Sequence, residues 1–101
     1  KKDAVLVTGF PSGSDYSDNI LMDLVRDIQN YKKVRMLGSA SLMLAYIACG
    51  YFDVYKENNI FIWDIAAGLS LVTEAGGCNI LEPGLSEEQF NVVSSNSNFK
   101  Y

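Results

Sequence analysis

Two carboxylates near the middle of the chain have the residue types that magnesium chemistry requires. Glu57 and Asp64 lie on either side of a short apolar run. Carboxylate oxygens are the ligands that magnesium, a hard cation, prefers. A two-metal phosphatase needs several of them to hold its ions. These two side chains therefore predict only part of a metal site, and each has a simpler explanation: Asp64 as a helix cap and Glu57 as a solvated charge.

A strand-to-helix junction supplies a second candidate site, at Gly38, Ser39 and Ala40. The N-terminus of a helix presents unpaired N–H groups and partial positive charge, which suit an anion or a hydroxyl oxygen. Gly38 lets a ligand approach the backbone closely. An ordinary helix start, with Ser39 as its N-cap, explains the same residues without any ligand.

The composition excludes several other kinds of chemistry. The 101 residues include no histidine, which rules out His-based zinc sites, Ser-His-Asp triads and a histidine general base. The net charge is −4 and the one basic cluster is residues 32–35, so we expect no nucleic-acid partner. The apolar runs are too short or too broken for a membrane span, and no signal peptide is visible, so we expect no membrane association. Cys49 and Cys78 predict buried thiols in a reducing, cytoplasmic compartment.

The elements that must position these residues alternate between strand and helix. Apolar and β-prone runs predict strands at 4–7, 34–37, 51–56, 78–81 and 90–93, with a further short apolar run at 60–62, and the helical patterns are at 18–31, 40–49 and 65–75. We expect Asp15 or Ser17 to cap the first helix, its apolar face to pack on a sheet, and residues 57–59 to form a turn or loop. This alternation predicts an α/β fold, a mixed or largely parallel sheet flanked by helices, and residues 1–101 show no internal domain boundary.

Glycines and small residues mark the ends and contacts of two helices. Gly50 fits the C-terminal cap of the second helix, and residues 76–77 end the third. Small residues at 66–68 leave the first turn of the third helix narrow, which permits close backbone approach.

The order and spacing of several motifs resemble the C-terminal signature of the inositol monophosphatase family. The matching segments are GSA at 38–40, glycine at 50, DVYKE at 53–57, WDIAAG at 63–68 and EAGG at 74–77. Residues 8–11 and 92–96 extend the likeness towards both ends, so it covers nearly all of the chain.

This resemblance implies a phosphomonoesterase that uses several magnesium ions, with water attacking phosphorus in line. Asp64 matches a metal-ligand aspartate of the family, and Glu57 matches the glutamate that hydrogen-bonds substrate hydroxyls. Residues 38–40 match the backbone that lines the sugar or inositol pocket. The family's other ligands, a glutamate and an Asp-Pro-Ile/Leu-Asp-Gly-Thr motif, are absent, since the chain has no Asp-Pro or Asp-Gly pair. No catalytic residue is therefore expected among these residues.

We accordingly expect residues 1–101 to be the C-terminal half of such a phosphatase, inactive without an N-terminal half. The expected partners are that half and a small-molecule phosphate ester, either inositol monophosphate or a related sugar or polyol phosphate. Fructose 1,6-bisphosphate, histidinol phosphate and 3′-phosphoadenosine 5′-phosphate are alternative substrates for the same fold. A non-catalytic ligand-binding or assembly module is the other alternative, and because dimers are common in the family a homodimer stays open.

Overall fold

The computed structural model describes residues 2–9 and 18–99 of the chain. These residues form five strands and three helices that alternate along much of the chain, which confirms the α/β class. The elements are β1 (Val5–Thr8), α1 (Asp18–Asn30), β2 (Lys33–Arg35), α2 (Ala40–Cys49), β3 (Val54–Phe61), α3 (Ile62–Glu74), β4 (Cys78–Pro83) and β5 (Gln89–Ser95). The expected caps of α1, Asp15 and Ser17, lie outside the described residues.

The strands form one mixed sheet in the order β2-β1-β3-β5-β4. Strand β1 pairs in parallel with both β2 and β3, while β5 pairs antiparallel with both β3 and β4. The parallel pairs need long crossover connections, which α1 and α2 provide. The mixed sheet expected from the sequence is confirmed.

Alternation along the strands divides the core between the two faces of the sheet. Val7 and Tyr55 are partners in the β1–β3 register and point to the face that α2 and α3 cover. Leu6 and Val54, also partners, point to the opposite face, where they form a smaller cluster with Ala4. The larger cluster contains Val7, Met43, Leu44, Ile47, Tyr55, Ile60, Ile65, Val72 and Val92.

A glycine brings α2 and α3 into close contact. A Cβ atom at Gly68 would lie 2.6 Å from both Cβ and Cδ1 of Leu44. Such a distance is far inside van der Waals contact, so only glycine fits here without movement of the neighbouring helix. The close approach expected at residues 66–68 is confirmed.

One predicted boundary is wrong in a way that matters for the site. The sequence predicts a turn or loop at residues 57–59, but these residues belong to β3, which runs without interruption from Val54 to Phe61. The register with β5 shifts between Glu57 and Ile60. Asn59 occupies that irregularity with a φ of 55°, a conformation that asparagine tolerates better than most residues.

The expectation that the apolar face of α1 packs on the sheet is also wrong for much of that face. Helix α1 has no buried residue, and Leu21, Val25 and Ile28 are 39%, 41% and 55% exposed. A half-buried ion pair joins the helix to the sheet instead, with Lys56 Nζ 3.1 Å from Asp27 Oδ1. Tyr31, directly after the helix, is buried in the cluster that contains Leu6.

The two cysteines are exposed and free, so the prediction of buried thiols is wrong. Their positions explain the exposure, since Cys49 is the last residue of α2 and Cys78 begins the edge strand β4. Within residues 2–9 and 18–99, no helix combines the length and apolar character needed to cross a membrane.

Candidate functional site

A cleft of about 710 Å³ lies where the N-termini of α2 and α3 meet β3. It contains all five residues that the sequence singled out as candidate site residues, although they come from three different elements or their flanks. Its lining consists of Gly9, Met36, Gly38, Ser39, Ala40, Ser41, Met43, Glu57, Ile60, Phe61 and Asp64.

One wall of the cleft is the start of α2. Gly38 has a φ of 76°, in the left-handed region that favours glycine. Ser39 is the N-cap, as predicted, and its Oγ accepts a hydrogen bond from the Leu42 N–H over 3.2 Å. This cap satisfies one of the first-turn donors and leaves the N–H groups of Ala40 and Ser41 without an intrahelical acceptor. The wall therefore presents donors and partial positive charge to a ligand.

Glu57 lies at the buried side of the cleft. It is 7% exposed, and its Oε1 accepts a hydrogen bond from the Tyr55 hydroxyl over 2.7 Å. Burial raises the pKa of Glu57 and the nearby Asp64 charge raises it further, while the Tyr55 hydrogen bond acts in the opposite direction. The simple explanation of Glu57 as a solvated surface charge is therefore wrong.

Asp64 has a different environment, since it is exposed and lies in the first turn of α3. It is not the helix cap: α3 begins at Ile62, and its N-cap, Phe61, makes no capping hydrogen bond through its side chain. The Asp64 carboxylate receives no hydrogen bond from any residue in the described part of the chain. A negative side chain here is favoured by the positive end of the helix dipole, and its oxygens are available to a ligand.

The starts of α2 and α3 are joined directly. Ser41 Oγ donates a hydrogen bond to the backbone carbonyl of Asp64 over 3.3 Å. This contact holds the donors of the α2 wall beside the carboxylate of the α3 wall. The cleft consequently combines a positive helix end, an exposed carboxylate and a buried carboxylate within one space.

The carboxylates of the cleft would satisfy only part of a metal coordination shell. Among residues 2–9 and 18–99, no group of three or more His, Cys, Asp or Glu side chains is arranged to hold a metal ion. Asp64 has the right chemistry for a magnesium ligand, because it is an exposed carboxylate whose oxygens no described residue engages. This arrangement would suit Asp64 as one ligand among several.

Gly9 and Phe61 line the cleft but were not singled out from the sequence. Tyr55, which hydrogen-bonds Glu57 without lining the cleft, was not singled out either. It precedes Glu57 by two positions, and the period of a strand is the signal that places both on one face. Phe61 stacks on Trp63 with ring centroids 4.6 Å apart, so Trp63 does pack against a neighbour, although 62% of it is exposed.

Asp53, the remaining carboxylate of the central segment, has a structural role. Its Oδ2 accepts a hydrogen bond from the Val5 N–H over 2.8 Å, and its backbone carbonyl accepts one from the Asn96 N–H over 3.2 Å. Asp53 thus connects the chain ahead of β3 to β1 and to the residue that follows β5. It does not line the cleft.

A mixed α/β sheet with a cleft at two helix N-termini and two carboxylates on its lining defines the class of fold and site. The comparison with known families makes this specific. The model of the inositol monophosphatase family matches residues 1–95, and the chain belongs to that family.

Individual relatives agree with this assignment. The chain is similar to the inositol-1-monophosphatase of Mesorhizobium japonicum, with 45% identity over 76 residues that cover 74% of this chain and 29% of that protein. It is also similar to the Nus factor SuhB of Pseudomonas aeruginosa, with 42% identity over 77 residues that cover 73% of this chain and 28% of that protein.

Solved structures show the same fold. The SuhB structure from Mycobacterium tuberculosis superimposes with a TM-score of 0.81 at 30% identity, covering 94% of this chain and 37% of that one. An inositol monophosphatase from Anabaena gives a TM-score of 0.81 at 33% identity, covering 95% of this chain and 40% of that one. The chain thus spans well under half the length of these relatives.

Proposed function

We propose that this chain is the C-terminal part of a magnesium-dependent phosphomonoesterase that acts on inositol monophosphate or a related sugar or polyol phosphate. The observation that supports this most strongly is the meeting of Glu57, Asp64 and residues 38–40 in one cleft. These residues come from β3, α3 and the start of α2, so their proximity is a property of the fold and not of sequence spacing.

In this proposal Asp64 is a magnesium ligand. It is exposed on the cleft and its carboxylate oxygens are unengaged among the described residues. The chemistry that magnesium supplies in such sites is stabilisation of negative charge on the leaving oxygen. Asp64 would contribute one carboxylate to that centre, and the remaining ligands would come from the rest of the polypeptide.

The other cleft residues bind and orient the organic part of the substrate. The Glu57 carboxylate accepts a hydrogen bond from a substrate hydroxyl, and the first-turn N–H groups of α2 donate to substrate oxygens. The substrate hydroxyls are thereby held by Glu57 and the start of α2, apart from the phosphate, which would lie towards Asp64 and the metal. A polyol phosphate carries both groups, which is why this substrate class fits best.

Under this proposal the 101-residue chain is inactive by itself. Two carboxylates on one cleft cannot hold a multi-metal centre, and the described residues contain no third metal-ligating side chain grouped with them. The chain would need the N-terminal half of the same enzyme as its partner.

A chimera tests the proposal. Residues 1–95 of this chain replace the corresponding segment of the Mesorhizobium japonicum inositol-1-monophosphatase, and phosphate release from inositol 1-phosphate is measured with magnesium. We expect turnover by the chimera, none by the isolated chain, and loss of turnover in Asp64→Asn. Glu74→Gln, at the exposed far end of the same helix, is the matched control.

Three results would contradict parts of the proposal. A folded chimera that releases no phosphate would contradict the assignment as a phosphatase. Turnover by the isolated chain would contradict the claim that it is inactive. Undiminished turnover in Asp64→Asn would remove the role of that residue as a ligand.

A second candidate, a non-catalytic assembly or ligand-binding module, is supported by the relatives named Nus factor. The chimera separates the two functions. A folded chimera without phosphatase activity would favour the module, whereas turnover that depends on Asp64 would favour the enzyme.

A further inference from the structure

The carboxylate of Glu57 is held on one side by a single strong hydrogen bond. Its donor is the Tyr55 hydroxyl, 2.7 Å from Glu57 Oε1. Tyr55 is fully buried and Glu57 nearly so, which means that water competes little for this bond. Both side chains lie on the same face of β3, because they are two positions apart in a strand.

Gly9 lies beside the same carboxylate. A Cβ atom at position 9 would lie 3.3 Å from Glu57 Oε1 and 3.6 Å from Oε2. The carboxylate therefore lies close to both the Tyr55 hydroxyl and the backbone after β1, and a side chain at position 9 would crowd it.

The second oxygen of this carboxylate has no such partner among residues 2–9 and 18–99. Glu57 Oε2 accepts no hydrogen bond from the described residues, although Glu57 lines the cleft. An ionised carboxylate oxygen only accepts hydrogen bonds, so the group that complements Oε2 is a donor. A substrate hydroxyl fits this requirement, whereas a phosphate oxygen of the same charge is repelled.

Tyr55 keeps Oε1 of Glu57 engaged, so that Oε2 is the oxygen left for the ligand. Burial raises the pKa of the Tyr55 hydroxyl far above its usual range, and the charge of Glu57 raises it further. The phenol therefore stays protonated and acts as a donor to Oε1. Without it, Glu57 could turn Oε1 or Oε2 towards the ligand in several orientations.

The geometry points to Tyr55 as a positioning residue that fixes Glu57 for recognition of a substrate hydroxyl, and so sets a preference for polyol phosphates over simple phosphate esters. This inference rests on the proposed role of Glu57 in substrate binding. Tyr55 itself does not line the cleft, so it acts through Glu57.

The test compares two substrates in the chimera: inositol 1-phosphate, which has hydroxyls next to the ester, and phenyl phosphate, which has none. We expect Tyr55→Phe to lower kcat/KM for inositol 1-phosphate by roughly tenfold, mainly through KM, and to leave phenyl phosphate nearly unchanged. Glu57→Gln should show the same selectivity, and Tyr55→Phe added to Glu57→Gln should bring no further loss. Tyr46→Phe, which removes a tyrosine hydroxyl outside the cleft, is the control.

The 101-residue chain gives a readout that does not depend on activity. In ¹³C NMR the Glu57 carboxyl signal should titrate at higher pH in Tyr55→Phe than in the wild type, because the hydrogen bond that favours the ionised form is lost. An unchanged Glu57 titration would show that the bond is absent in solution and would overturn the inference.

The kinetic outcomes separate this inference from the proposed function. Equal losses on both substrates in Tyr55→Phe would mean a general structural role and would overturn the positioning role. A selective loss in Glu57→Gln with none in Tyr55→Phe would overturn the inference alone. No loss in Glu57→Gln would contradict the proposed function and, with it, the role of Tyr55.

Discussion

The two faces of the sheet are covered to very different extents, although a helix flanks each of them. On one face, α2 and α3 bury residues such as Ile47 and Val72, which are fully inaccessible to solvent. On the other face, α1 has no buried residue, and its side chain Ile28 is 55% exposed. Both faces have helices with clear apolar character, so the helix pattern alone does not explain the contrast.

The difference lies in whether the helix finds a partner within the described residues. Helices α2 and α3 cover each other as well as the sheet, and Gly68 against Leu44 allows their close approach. Helix α1 is joined to the sheet through the Asp27–Lys56 ion pair and has an exposed stripe of apolar side chains. Burial, and the stability that follows from it, is therefore concentrated on the face that also forms the cleft.

Two matched alanine substitutions test the contrast between the two faces of the sheet. They should give the largest effect of the changes considered. Ile47→Ala should lower the free energy of unfolding by about 2–5 kcal/mol, because it leaves a cavity in the core. Ile28→Ala, the same change on α1, should cost less than about 0.5 kcal/mol. Urea unfolding of the 101-residue chain measures both, and equal losses would show that the α1 stripe is buried in solution.

The contact between α2 and α3 at Gly68 should give the next largest change in the free energy of unfolding. Gly68→Ala should cost about 1–3 kcal/mol, because its Cβ atom would overlap the Leu44 side chain. The same substitution should cost less in a Leu44→Ala background, which removes the contact with Cδ1, but the rescue should be partial because alanine keeps the Cβ atom that lies 2.6 Å away. Ala67→Ser, on the exposed side of α3, is the control. Fully additive costs in the double variant would show that the outer atoms of Leu44 do not obstruct position 68.

The cap of α2 should have a smaller effect. Ser39→Ala removes the acceptor of the Leu42 N–H and should cost about 1 kcal/mol. Ser39→Asp keeps an acceptor at the same position and should retain most of the stability. Thermal unfolding compares the two variants, and an equal loss in both would mean that the capping hydrogen bond contributes little.

The ion pair of α1 should matter least. Asp27→Asn removes its negative charge and should cost at most about 1 kcal/mol, because the pair is only partly buried. The effect should shrink as salt is added. Asp23→Asn on the same helix, whose pair with Arg26 is exposed, is the comparison. A salt-independent loss of several kcal/mol would contradict the view that α1 is weakly attached.

Much of the fold follows from the sequence because its signals are local. Ser39 and Gly50 are a helix cap and a helix stop, and α2 begins and ends at the predicted residues. The boundary between β3 and the third helix is harder to predict, because the apolar run before Asp64 suits either element. In the structure Ile60 and Phe61 complete β3, and Ile62 already begins α3.

The sequence predicts which residues belong to the site, but it does not predict how the fold arranges them. Family motifs singled out Glu57 and Asp64. The burial of Glu57 was not predicted, because residues 57–59 were expected to form a loop. In the structure Glu57 is buried within β3 and pairs with Val92 of β5, and such pairing is a long-range property. The Tyr55 contact was missed for the same reason, since it appears only once both residues are placed in one strand.

The central claim is that Asp64 and Glu57 have separate roles in the cleft, one towards the metal and one towards the substrate. The most direct measurement is the magnesium dependence of phosphate release by the chimera. Asp64→Asn should raise the magnesium concentration for half-maximal rate by about tenfold or more, whereas Glu57→Gln should leave it within about twofold and raise KM for inositol 1-phosphate. A shift in the magnesium requirement that is the same for both variants, or absent from Asp64→Asn, would contradict this account.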